Sequence, residues 1–335
     1  MARGDIAVRR LRPGDGDQLV DLLRTAFAEE FAGAGTDRAA VQRQVRSAMA
    51  VQSPGVRHLL TALGARFVYF VATCDGRVVG STAVAGGRLL VISSVAVRPE
   101  FRGLGIAQAL LHRAHQFVHD QGRDRVVLDV LAHNTPALSL YDKLGYREYH
   151  RFRTYELPIV PSQISAGAPP GYWLEPITPA RTAAFNAVER ASLPPAYFEV
   201  TPSLRDRYAR PRLTHGLERW IGGVRAHQRA LVHDGRTVGF LSSAVAAGQI
   251  EGRIELPLAT PQASGGLAGA LVDAVHFIEQ CGRPRLRLDI SESRPDQHAV
   301  AEALGFHHRW SYIQMVQWLS SPLRIPVRVG SRTPV

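Results

Sequence analysis

Cysteine and lysine are nearly missing from this chain. Its 335 residues include two cysteines, Cys74 and Cys281, too few for a disulfide framework. Both read as plain thiols in a reducing compartment rather than a bridge or a metal site, so a cytoplasmic location and no metal are expected. Long apolar runs are missing too. Leu89 to Val97 is among the longest and is interrupted by Ser93 and Ser94, which excludes a membrane helix and gives no reason to expect a membrane partner. Met1 to Leu11 carries arginines but no apolar stretch, so no secretory signal is expected there. Lys143 is the single lysine, and the formal charge of +11 is carried almost wholly by arginine. Such a charge attracts polyanions. No run of five or more like charges occurs, however, and this scatter argues against a nucleic-acid partner.

What is present points to duplication. The length suggests two domains, and three short segments recur about 160 residues apart. Cys74-Asp75-Gly76-Arg77-Val78-Val79-Gly80 is echoed by His233-Asp234-Gly235-Arg236-Thr237-Val238-Gly239. Leu128-Asp129-Val130 is echoed by Leu288-Asp289-Ile290, and Leu144-Gly145-Tyr146 by Leu304-Gly305-Phe306. The order and near-constant spacing argue for a repeated domain, and the period is too long for a solenoid.

Each copy carries strand-like and helix-like segments in one order. In the first, Ile6 to Arg10 is a strand and Asp15 to Glu30 an amphipathic helix, followed by a helix over Asp37 to Met49. Asp75-Gly76 between apolar runs predicts a two-residue hairpin turn. Leu89 to Val97 is a further strand. Gly105 to Gln121 is a helix with apolar positions at Ala107, Leu110, Leu111, Ala114 and Val118. Val126 to Leu131 is a strand, Thr135 to Leu144 a helix stopped by Gly145, and two closing strands run through Tyr146 to Leu157. The fold class is α/β with a mixed sheet. Domains are expected at 1–157 and 172–320. A Pro/Ser/Gly-rich linker is expected at 158–171, and an irregular tail at 321–335.

The segment that carries chemistry is Val95-Ala96-Val97-Arg98-Pro99-Glu100-Phe101-Arg102-Gly103-Leu104-Gly105-Ile106-Ala107. A strand ends at Val97, and a helix opens near Gly105. The glycines admit close approach of a ligand to the backbone. The unpaired N–H groups and positive dipole end of the helix form a site for a pyrophosphate, and Arg102 adds a guanidinium–phosphate contact. A dinucleotide-binding fingerprint is the sharpest rival, with Asp129 at nearly the right distance. It fails because Gln108 replaces the third glycine, five residues separate strand and first glycine, and the upstream strands form a hairpin. A P-loop is excluded, since no Gly-Lys-Ser/Thr follows.

These residues, with Asn134-Thr135-Pro136-Ala137 and Tyr141-Asp142-Lys143-Leu144-Gly145-Tyr146, resemble the GCN5-related N-acetyltransferase (GNAT) superfamily in order and spacing over residues 5–157. The resemblance implies two tandem acyl-CoA N-acyltransferase domains, with acetyl-CoA as co-substrate and an amine-bearing small molecule or peptide as acceptor. It implies that Val95, Ala96 and Val97 flank the pantetheine arm. Arg102, Gly103, Leu104, Gly105, Ile106 and Ala107 would hold the pyrophosphate, with Asn134 beside the cofactor and Tyr141 as general acid. It further implies a monomer with two pseudo-dimeric halves, or a homodimer. Many relatives place a glutamate on the strand before the motif, but Leu89 to Val97 contains no carboxylate. Ser93 or Ser94 could instead hold a relay water. Glu29 and Glu30 could attract a cationic acceptor, although a solvated helix end is the commoner role. His133 reads as a solvated loop residue.

The second copy, from Tyr172 to about Leu319, is degenerate. Matched on its glycines, it has Ala263 for Arg102 and Ser264 for Gly103, while Gly266 and Ala268 keep the Gly-x-Ala spacing. Pro257 interrupts the preceding strand, Arg294 replaces Asn134, and Ala301 replaces Tyr141.

Overall fold

The computed structural model describes residues 5–34, 38–51, 53–62, 64–159, 169–205, 224–246, 249 and 251–319. The expected tail lies outside these residues, as does most of the expected linker. Contacts divide the chain into two units. The first comprises Met1–Val130, Thr135–Glu148 and Met315–Val335, and the second Leu131–Asn134 and Tyr149–Gln314.

In the first unit the predicted hairpin forms. Asp75 and Gly76 take φ of 49° and 79°, the left-handed pair that a two-residue turn requires. The chain runs β1 (Ile6–Arg10), α1 (Gly16–Ala26), α2 (Ala28–Ala34), α3 (Arg38–Val51), α4 (Pro54–Ala62), β2 (Arg66–Cys74), β3 (Arg77–Gly86) and β4 (Leu90–Val97). It continues through α5 (Ile106–Asp120), β5 (Arg125–Leu131) and α6 (Thr135–Lys143). Strands β1 to β4 pair antiparallel in sequence order, and β4 pairs with β5 in parallel.

One sheet face packs the apolar stripe of α1, including Leu19, Leu22 and Leu23, against Tyr69, Val71 and Ala83. Each such aliphatic side chain contributes about 1.5–3 kcal/mol by leaving water. Helix α5 buries Ile106, Leu110, Leu111, Ala114 and Val118, while Ala107, expected on that face, is half-buried. Gly80 is why α5 sits so near the sheet. A Cβ there would lie 3.0 Å from both Ile106 Cγ2 and Leu110 Cδ1.

The second unit repeats the pattern. Its elements are β6 (Arg147–Pro158), β7 (Tyr172–Pro176), α7 (Pro179–Thr182), α8 (Phe185–Ser192), α9 (Pro195–Val200), β8 (Arg225–His233) and β9 (Arg236–Val245). Then follow β10 (Glu251–Ile254), β11 (Leu258–Ala259), α10 (Ser264–Gln280), β12 (Arg285–Ser291), α11 (Pro295–Ala303) and β13 (His307–Trp318). The start of β6, to Glu148, and the end of β13, from Met315, group with the first unit. Asp234 and Gly235 repeat the turn, with φ of 47° and 80°. Leu267, Leu271 and Ile278 of α10 pack on Leu286, Leu288 and Ile290 of β12.

The units are not the linear halves expected from the sequence. Where two closing strands were expected after Tyr146, one strand of 12 residues forms, β6. It pairs antiparallel with β12, from Arg285↔Pro158 to Ser291↔Phe152. The matching place in the first unit goes to the end of β13. There Leu319 N–H donates to Asp124 O (2.7 Å), and Arg125 lies 5.0 Å over the Trp318 ring. Among the described residues no helix is long and apolar enough to cross a membrane.

Candidate acyl-CoA site

Strand β4 is bent where the motif begins. Ser81 pairs with Ala96 but Ala83 with Ser93, so Ser94 and Val95 together stand opposite Thr82. This is a β-bulge, and Ser94 adopts φ of 53° within it, a conformation uncommon outside glycine. The hydroxyl of Ser81 donates to Ser94 O (2.9 Å) and fixes the distortion. On its other side β4 pairs with β5 only at Leu90, Val91 and Ile92. Beyond Ile92 the two strands part.

That parting leaves main-chain groups available. Arg98 N–H donates to Val79 O (2.9 Å), so the groups of Arg98 face β3. By strand alternation those of Val97, and of Val95 two residues earlier, face the side that β5 has left. The Val97 carbonyl receives a long contact, 3.3 Å, from Arg102 Nε.

A short 3-10 turn, Pro99–Phe101, carries the chain to the glycine loop. Gly103 and Gly105 both take φ of 77°, which a side chain would strain. No atom lies within 4 Å of where a Cβ would stand on either, so the loop is open as well as turned. Gly105 is the N-cap of α5 and offers no side chain to cap it. The first N–H groups of the helix are left to an outside acceptor. Arg102 is exposed beside them. An open cradle with free main-chain groups fits the phosphate and amide groups of coenzyme A.

Tyr141, on α6, is buried at 6% exposure. Its hydroxyl makes no hydrogen bond to any described residue. Burial pushes its pKa up to about 12, so the phenol keeps its proton at neutral pH and has one to donate. Its ring packs 5.5 Å from that of Tyr146. The Tyr146 hydroxyl lies 2.7 Å from His115 Nε2, a buried pair that the sequence reading missed. Burial, with His112 nearby, holds His115 down at about 4. Tyr69, which the sequence reading did not single out, is buried near the bulge, and burial raises its phenol to about 12 against the opposing effect of Ser94 and Ser81. Alternation of β2 placed Tyr69 on the same face as Val71, which was the available signal.

The remaining candidates are less well placed. Asn134 is exposed just before α6, with its N–H on Leu131 O (2.9 Å), and its contacts group it with the second unit. His133 is exposed and lies 5.9 Å from the Trp310 ring. Glu29 is exposed and Glu30 half-buried on α2. Among the described residues no cluster of three metal-ligating side chains occurs.

In the second unit one expected alignment is corrected. Thr260 N–H donates to Val238 O (2.8 Å) as Arg98 N–H does to Val79 O, and the 3-10 turn Pro261–Ala263 matches Pro99–Phe101. Ser264, not Ala263, therefore stands at the place of Arg102. Helix α10 begins at Ser264 itself, so the loop is absent, and Gly266 and Ala268 lie inside the helix. Pro257 does break the strand, as expected, between β10 and β11.

Comparison with known proteins gives the class first. Over 95% of the chain the fold matches a tandem GNAT protein from the clavulanic acid biosynthesis pathway, with a TM-score of 0.61 at 20% identity, covering 99% of that protein. A GNAT protein from Sphaerobacter thermophilus matches over 96% of this chain and 98% of its own, with a TM-score of 0.64 at 18% identity. Residues 40–146 match the acetyltransferase (GNAT) family. An N-alpha-acetyltransferase of Sulfurisphaera tokodaii is 34% identical over 104 residues, 26% of this chain and 60% of that relative. The chain thus spans less than two thirds of this curated relative. Residues 40–146 therefore match the GNAT family in sequence, and the chain as a whole has the fold of tandem GNAT structures.

Proposed function

We propose that the first half of the chain transfers an acetyl group from acetyl-CoA to a primary amine. The observation that carries this reading is the parting of β4 from β5 after Ile92 beside the open loop Arg102–Gly105. Val95 and Val97 present main-chain groups to the pantetheine arm, and Arg102 with the N–H groups of residues 103–107 holds the pyrophosphate. Acetyl-CoA supplies an activated thioester. A main-chain N–H near Val97 stabilises charge developing on the carbonyl oxygen. The amine nitrogen bonds to the acetyl carbon as the carbon–sulfur bond breaks. Tyr141 gives its proton to the departing sulfur, the amine sheds one proton to solvent, and Tyr141 regains its own from solvent. The site's hold on both reactants supplies much of the rate. Asn134 is assigned to the cofactor's flank on family resemblance. The second half is a degenerate copy, and the chain works in the cytoplasm.

An amine panel assayed by release of free thiol tests the reading. Turnover with at least one amine is expected, and Tyr141→Phe should lower kcat on the order of 10²-fold or more. A second reading draws on one observation: Leu90–Val97 has no carboxylate to take the ammonium proton. On that reading the protein binds acyl-CoA without turnover. Tight CoA binding with no thiol released from any amine would favour it.

A further inference from the structure

Strand register aligns the two halves residue by residue around the cofactor slot. Gly80 pairs with Val97 in the first, and Gly239 with Ala259 in the second. Ala259 is therefore the counterpart of Val97, and Pro257 of Val95. β11 pairs with β9, while the parallel partner of β12 is β10, ending at Ile254↔Leu288. The same gap opens in both halves.

In the second half the gap is filled from within. Arg294, at the position of Asn134, donates through Nη1 to Ala259 O. Gln297 donates through Nε2 to Pro257 O (3.2 Å). The two carbonyls, two residues apart, face one side of the strand, and both are met by side chains from the start of α11. Arg294 is 8% exposed and Gln297 1%, so neither is a surface group that has folded inward by chance. Arg294 is itself gripped by Asp296, at 2.9 Å from Nε to Oδ1 and 2.6 Å from Nη2 to Oδ2. This two-point carboxylate pairing fixes a guanidinium in place.

The phosphate end is closed as well. Asp296 accepts from Ser264 Oγ (3.2 Å), which sets a carboxylate at the mouth of α10, where a pyrophosphate would have to come. The Tyr172 ring lies across the first turn of that helix. A Cβ on Gly266 would stand 2.5 Å from Tyr172 Cδ1, and the Tyr172 hydroxyl donates to Gln262 O (2.7 Å).

From these contacts we infer that the second half is a self-liganded cofactor site. Arg294 and Gln297 make the main-chain hydrogen bonds that a pantetheine arm would make, and Asp296 and Tyr172 seal the phosphate end. The chain accordingly takes one CoA, in its first half. The inference rests on the acyl-CoA reading of that half, because the slot is defined by comparison with it.

Calorimetric titration with CoA tests both. One CoA per chain is expected in the wild type, and none in Arg102→Ala/Gly105→Val, with circular dichroism showing that this variant is folded. Two CoA per chain, or binding that survives in the double variant, would overturn the inference. A wild type that binds no CoA would defeat the acyl-CoA reading while agreeing with a closed second half. Arg294→Met keeps bulk and removes the donors. It should lower the unfolding temperature by several degrees and leave the KM for acetyl-CoA within twofold. An unchanged unfolding temperature, or the loss of one of two CoA sites, would show that Arg294 does not act as an internal ligand.

Discussion

On the proposed function, Tyr141 and Arg102 separate chemistry from binding within the first half. The buried phenol is held protonated to about 12, so kcat should show no loss of a general acid below pH 10. A fall in kcat centred between pH 8 and 9 and absent in Tyr141→Phe would contradict this. Arg102 is exposed and, on this reading, acts chiefly on phosphate, besides its long contact with Val97 O. A charge-assisted hydrogen bond contributes about 1.5–3 kcal/mol, so Arg102→Ala should raise the KM for acetyl-CoA roughly 10- to 100-fold with kcat nearly unchanged. Steady-state kinetics at fixed ionic strength would check both numbers. His115 makes a different prediction. Its folded pKa, about 4, lies below the ordinary 6.5, so the unfolded chain binds the proton first. Stability is complete above pH 6.5 and is lost as pH falls toward 4, by up to about 3 kcal/mol. His112, lowered by burial as well, pushes the same way. Urea unfolding from pH 7 to 4 should show the loss, and His115→Gln should flatten it.

At the scale of elements, local chemistry decided what could be read from the sequence. The hairpin turns were legible because Asp-Gly is one of few pairs that accept two positive φ values. Helix α5 was legible from its apolar spacing, and its opening from two glycines. The bulge at Ser94 was not, because the two serines interrupt the apolar run without the glycine or asparagine that would signal a positive φ. Nor was the two-residue deletion before α10, because Gly265 and Gly266 imitate a loop whose glycines have in fact been absorbed into the helix. Gly80 appears in both repeats, yet only the structure gives its purpose. It lets α5 lie close to β3 and so sets the height of the glycine loop above Val97. Gly80→Ala forces a methyl against Ile106 and Leu110 at 3.0 Å, an overpacking worth about 1–3 kcal/mol. Thermal unfolding should register that loss. The KM for acetyl-CoA should rise with it, whereas a purely global defect would leave KM alone.

At the scale of the molecule, the exchange of closing strands was beyond sequence reasoning. β6 and β13 are both 12-residue, aromatic-rich strands that follow a helix and a Leu-Gly-aromatic signal. Nothing local says which half each will close. The contacts nevertheless give residues from Met315 onward to the first unit, where Met315, Val316 and Leu319 are all buried. Burial of three such side chains is worth about 5–9 kcal/mol, comparable to the whole stability of a domain. A chain ending at Gln314 also strips cover from β5, leaving an unpaired strand edge. Although the cut lies far from Arg102 in sequence, this chain should therefore lose CoA binding and unfold in its first half. A chain ending at Ser320 keeps every described contact of that segment and should bind CoA as the full chain does. Equal CoA affinity in the two shortened proteins would refute the exchange, since only the shorter one lacks the strand that the first unit borrows.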